Sequence, residues 1–174
     1  MVLPTRFRFV AAIALGLCCV PLPAAATTVS ATFQVTLTVQ KVCSVTAGAG
    51  SNIALGTLPA TTTNATGSST ISVTCTKTTP YYIGLAPSNA ATGGSGVLSG
   101  TISGNTDTIT YKLSSTAGPS GTVWGNTATS TTVGNGVAGT GTGAAQSLNV
   151  YVTVPAMNYT PDSYSDTVTV NVNY

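Results

Sequence analysis

Any chemistry in this chain of 174 residues would fall to three aspartates, Asp107, Asp162 and Asp166, because glutamate and histidine are absent. General bases are mostly histidines or positioned carboxylates. Serine and threonine nucleophiles need such a partner to take their proton. Asp162 and Asp166 flank the turn Pro161-Asp162-Ser163 and can be drawn as a carboxylate pair. Aspartates at turns, however, ordinarily accept hydrogen bonds from the turn's own backbone. No catalysis is expected.

Two cysteine pairs come next. Cys18 and Cys19 lie in an apolar run near the start, whereas Cys43 and Cys75 stand in the body. Two thiols with no histidine cannot complete a zinc shell, and no C-x-x-C occurs. In an exported chain the even pair Cys43 and Cys75 reads as a disulfide. Closing that loop is expected to stabilise the fold by about 3–4 kcal/mol. No metal or cofactor is expected.

Export itself is read from the opening residues. Arg6 and Arg8 precede an apolar run from Phe9 to Val20, then Pro21, Pro23 and Ala24-Ala25-Ala26. This is the order of a secretory signal peptide, with cleavage expected after Ala26, and the run is too short to span a bilayer. A lipid-attachment reading of Leu15-Gly16-Leu17-Cys18 is disfavoured by the bulky Leu17. After residue 26, Lys41, Lys77 and Lys112 balance the three aspartates. An uncharged surface has no electrostatic footprint for nucleic acid or anionic lipid. It also lacks the charge that keeps copies apart.

The elements that must position these residues are strands. Threonine, serine, glycine, valine and alanine dominate, and no apolar stripe of period 3.6 is present, so the fold is expected to be all-β. The longest pattern runs from Thr28 to Lys41. Val29, Ala31, Phe33, Val35, Leu37 and Val39 alternate there with Ser30, Thr32, Gln34, Thr36, Thr38 and Gln40. A period of two marks a strand with one buried and one wet face, and this one is long by ordinary standards. Further strands are expected through Cys43 to Val45, at Ile71, Val73 and Cys75, and at Tyr81 to Leu85. Others are expected around Val97, Leu98 and Ile102, at Ile109, Tyr111 and Leu113, and at Leu148 to Val154. The last holds Val168, Val170, Val172 and Tyr174. Residues 59–68 read as a loop, and 126–145 as an exposed, mobile connection, with a pair of weak edge strands as the alternative. Short strands with turns between them point to a two-sheet sandwich of immunoglobulin type in one domain.

Such a sandwich would need one more strand beside the last. The long opening strand can supply it, but to another copy. The domain reading is therefore a signal peptide at 1–26, a donor strand at 27–37 and a β-sandwich at 38–174. Phe33 reads as a plug for a neighbour's groove or as a core aromatic of its own domain. Tyr174 reads as an edge-strand residue, and Trp124 as core or as a sugar-stacking ring. Asn64-Ala65-Thr66 and Asn158-Tyr159-Thr160 match the glycosylation pattern, which threonine-rich chains meet by chance.

Several short motifs carry a resemblance. They are Cys43-Ser44-Val45, Thr74-Cys75-Thr76 with Pro80-Tyr81 and Leu85, Tyr111-Lys112-Leu113, Trp124-Gly125, and Tyr164 to Val168 running on to Tyr174. In this order they resemble the spore coat protein U family, which includes subunits of archaic (Csu-type) chaperone–usher pili. Leu55-Gly56 stands where that family often has Phe-Gly, and Asp162 where it often has glycine. The resemblance implies an incomplete immunoglobulin-like sandwich completed by donor-strand exchange. It implies a periplasmic chaperone, an outer-membrane usher and copies of the chain as partners. The C-terminal edge of Val168, Val170, Val172 and Tyr174 would meet chaperone or donor. A surface fibre serving adhesion and biofilm formation is expected, with a spore or cell coat protein, or a tip adhesin, as alternatives.

Overall fold

The computed structural model describes residues 25–174. The signal-peptide reading therefore lies almost wholly outside the described residues. The chain divides after Leu37, and the second unit, Thr38–Tyr174, contains every strand among the described residues. Nine strands follow in chain order: β1 (Cys43–Thr46), β2 (Thr63–Cys75), β3 (Pro80–Pro87), β4 (Ser95–Gly100), β5 (Thr108–Ser114), β6 (Val137–Thr140), β7 (Ala145–Ala156), β8 (Tyr164–Ser165) and β9 (Val168–Asn173). One turn of 3-10 helix, Ala49–Ser51, is the only helical element among the described residues.

Two antiparallel sheets form, one of six strands in the order β1-β2-β7-β5-β4-β8 and one of three in the order β6-β3-β9. Ile71, Val73 and Cys75 of β2, Ile109, Tyr111 and Leu113 of β5, and Val150, Val152 and Val154 of β7 point one way from the large sheet. They meet Tyr81, Ile83 and Leu85 of β3 in a single core. The period-two pattern and the inward face coincide, which settles the register. Trp124 joins the sheets. Its backbone N–H donates to Leu113 O at 3.0 Å, and its Nε1 donates to Ile83 O at 2.8 Å. With 1 % of its surface exposed it is core, and it offers no face to a sugar.

Cys43 and Cys75 are bonded, with their Cα atoms 4.1 Å apart. They are register partners where β1 meets β2.

Four expectations change. Residues 28–41 form no strand in a single copy. Val29, Phe33 and Leu37 are 94 %, 87 % and 88 % exposed. An alternating segment becomes a strand only when an edge takes its backbone groups. Residues 63–68 belong to β2, which pairs with β7 from Thr63↔Ala156 onward. Ile102 lies in an exposed turn beyond β4. Residues 126–145 are built rather than loose, with β6 paired on β3 as an edge strand. Before β6, the Asn135 side chain accepts from Thr127 N and Oγ1 at 2.9 and 2.8 Å and donates to Thr92 O at 2.8 Å.

Candidate functional site

β9 lies at the end of the three-stranded sheet, hydrogen-bonded to β3 on one side only. Its inward residues Val168, Val170 and Val172 are half-buried, whereas Ile83 and Val154 in the middle of the sandwich are fully covered. The shortfall opens into a groove between the sheets. One part, about 340 Å³, has Ile71, Leu113 and Val152 as its floor and Leu85, Val168 and Val170 along its other wall. A second part, about 470 Å³, lies among Ile109, Val154, Met157, Tyr159 and Tyr164. Ile53, Leu55 and Leu98 border both. The groove is thus apolar in its depth and flanked by a strand edge whose N–H and C=O groups face no ladder partner among the described residues. Such an edge is a template for another strand.

Glycines fix the groove's walls. A Cβ at Gly67 of β2 would stand 2.6 Å from Ile53 Cγ2 and 2.8 Å from Leu55 Cδ2, so any side chain there would push both away from the sheet. A Cβ at Gly84 of β3 would stand 2.2 Å from Asn126 Oδ1. That oxygen accepts from Asn171 Nδ2 at 3.0 Å and holds β9 from its outer face. Asn173 Nδ2 donates to Tyr82 O at 3.3 Å further along. Tyr174, just past β9, is 48 % exposed.

Asp166 lines the first part of the groove, where β9 begins, and Asp162 the second. Asp166 accepts from the buried Tyr111 hydroxyl at 2.6 Å and from Thr167 N at 2.7 Å. Burial, with the Asp166 bond and charge, pushes the Tyr111 hydroxyl well above its usual range. Asp166 itself is desolvated, which works upward, yet hydrogen bonds from Ser88, Tyr111 and Thr167 hold its pKa below the ordinary value. Asp107 is held down by the Thr160 hydroxyl and N–H, 2.7 and 2.8 Å away. Asp162 ties two segments together. Oδ1 accepts from Thr101 Oγ1 at 2.9 Å and Ser163 N at 2.6 Å, and Oδ2 from Ile102 N at 2.9 Å and Asn105 Nδ2 at 2.7 Å. Every lone pair of the carboxylate is engaged by a neutral donor, which is a stapling role rather than a poised acid–base pair.

This staple gives a pH prediction. Desolvation raises the Asp162 pKa, but the four donated bonds outweigh it and bring it from 3.8 to about 2. A depressed folded pKa contributes stability that is complete above the unfolded value and lost as pH falls through the folded one. The loop around Ile102 is therefore expected to loosen as pH falls from about 4 to about 2. In Asp162→Asn, which loses the anionic acceptor, the Ile102 amide should exchange fast already at neutral pH and lose this acid step. Amide hydrogen exchange of Ile102 against pH reads both.

The structure brings Val168, Val170 and Val172 to the groove edge and Cys43 to Cys75. It leaves Val29, Ala31, Phe33, Val35 and Leu37 exposed. Sequence reasoning missed Gly67, Gly84, Asn105 and Asn126. Their roles depend on contacts far apart in the chain.

No curated protein matches this sequence. Among solved structures, a chain of the CsuC–CsuE chaperone–tip adhesion subunit pre-assembly complex from the archaic chaperone–usher Csu pili of Acinetobacter baumannii is similar, at 18 % identity and a TM-score of 0.45. The match covers 79 % of this chain and 40 % of that one. The profile of the Spore Coat Protein U domain matches residues 29–171, which is most of the sequence. The chain belongs to the Spore Coat Protein U domain family.

Proposed function

We propose that this protein is a structural subunit of a surface fibre, an archaic chaperone–usher pilus, that polymerises by strand lending. Residues 28–37 of one copy enter the groove beside β9 of another and complete its small sheet. The observation that carries this reading is a match of shapes within one chain. Val29, Ala31, Phe33, Val35 and Leu37 expose an alternating apolar face. An apolar groove beside an unpaired strand edge stands in the body. In strand addition, main-chain bonds supply affinity and alternate side chains fill pockets.

Export through the periplasm, a chaperone that covers the open edge, and an outer-membrane usher come with the family resemblance, as do adhesion and biofilm formation. An uncovered groove and edge would leave a lone copy open to wrong pairings, which gives a chaperone its physical task. The family's name favours a second reading, a coat protein built by the same lending of strands. Neighbouring genes for a chaperone and an usher separate the two.

Electron microscopy of producing cells, with and without residues 28–37, tests the proposal. Fibres should vanish on deletion while export of the folded chain continues. Fibres of normal length without this segment would refute it.

A further inference from the structure

We propose that the Cys43–Cys75 bond carries fibre tension from residues 38–42 straight into the core, past residues 47–58 that border the groove. The inference rests on the strand-lending reading, since it supposes that a fibre pulls each copy by its residues 28–37. That pull reaches the body through residues 38–42. The Thr76 hydroxyl shares its one proton between Gln40 O and Val42 O, each 3.3 Å away, Val42 N donates to Thr76 Oγ1 at 3.1 Å, and Thr76 N donates to Val42 O at 2.9 Å. The next residue is Cys43, the first of β1, bonded to Cys75, the last of β2.

Consider the path without that bond. Tension would enter β1 at its Cys43 end and peel four residues from β2 one pair at a time. It would then run into residues 47–58, which contribute no strand to either sheet. That segment includes Ile53 and Leu55, which border both parts of the groove. Pulling it away would open the seat of the incoming strand just when the fibre is loaded.

With the bond in place, load passes straight to Cys75, which is buried in the core. Cys75 anchors in both sheets. β2 runs back from it along β7, from Thr74↔Ala145 to Thr63↔Ala156. On its other side the chain turns into β3, and that turn is bound to the β6 end by Thr78 N to Gly141 O at 2.8 Å, Gly141 N to Thr79 O at 2.7 Å and Gly143 N to Cys75 O at 3.0 Å. The cysteines are 32 positions apart, so the bypass withholds about 110 Å of extended chain from each loaded copy.

The test pulls a single full-length copy with its groove filled by a synthetic peptide of residues 28–37. One handle is placed ahead of Thr28 and the other behind Tyr174. Traces are recorded oxidised and after reduction of the folded protein, which avoids relying on Cys43→Ser and Cys75→Ser folding. Reduced copies should show an added first step, at lower force than the oxidised rupture, that releases part of the withheld 110 Å or so before the sandwich gives way. A single rupture at the oxidised force, with the extra length appearing only in that event, would overturn the proposal. Because it reads one copy, this result stands apart from whether fibres form; their persistence without residues 28–37 would sink strand lending alone.

Discussion

Replacing Phe33 with alanine should leave the urea midpoint of an isolated copy unchanged and weaken strand docking between copies by about 3–5 kcal/mol. The two halves of this expectation have separate causes. In its own subunit the ring is 87 % exposed, so truncation removes no packing. In an acceptor it would be the largest of the alternating side chains and would sit centrally in the groove, with Val29 and Ala31 on one side and Val35 and Leu37 on the other. Its loss there leaves a cavity as well as lost burial, which is why the cost matches a core aromatic. At about 1.4 kcal/mol per decade, release of the docked strand should accelerate by two to four orders of magnitude. The measurement is exchange of a labelled peptide of residues 28–37 out of a filled subunit, alanine variant against parent. Gln34→Ala, on the opposite face of the segment, should dock within a factor of a few. Equal release by the Phe33 variant, or a melt that falls in the isolated copy, would show that the ring serves its own domain.

Much of this was legible in the sequence because alternation is left by any strand with one buried face. β2 near Ile71, β5, β7 and β9 carry that trace, and the bonded cysteines follow from export. Alternation records that a face is buried but not whose core buries it, so for Phe33 it left a neighbour's groove and the chain's own core both open. β6 left no trace for another reason. Its Gly139 is required because a Cβ there would stand 2.2 Å from the ring of Tyr81, and a strand of small residues looks like a loop. The start of β2 is hidden in the same way, since Gly67 makes room for Ile53 and Leu55. Asp162 was legible as a turn residue. Its partners Thr101, Ile102 and Asn105 lie about sixty positions back in the chain and follow no period.

Trp124→Ala is expected to be the most damaging single change in the body, at about 3–5 kcal/mol for the cavity alone. A domain of this size holds about 5–15 kcal/mol in all, so the variant should unfold at a far lower urea concentration than the parent. The ring spans the sandwich, bonded through its backbone to Leu113 of the large sheet and through Nε1 to Ile83 of the small one. Removing it separates the sheets where β3 and β5 face each other and leaves Ile83 O short of the indole's bond. Trp124→Phe divides the two effects, since it keeps most of the volume and loses only the indole donor. That variant should cost about 1–3 kcal/mol, the penalty for a buried polar group left unpaired. Because the chain has a single tryptophan, the melts must be followed by far-ultraviolet circular dichroism instead of indole fluorescence. If Phe and Ala cost the same, the hydrogen bond dominates and the packing account of the sandwich is wrong. If Phe costs nothing, the sheets are held by ring volume and the bond to Ile83 is incidental. An intermediate loss for Phe and a far larger one for Ala is the outcome the geometry requires, and it would place the strand next to β9 in the sheet, β3, under the control of one side chain.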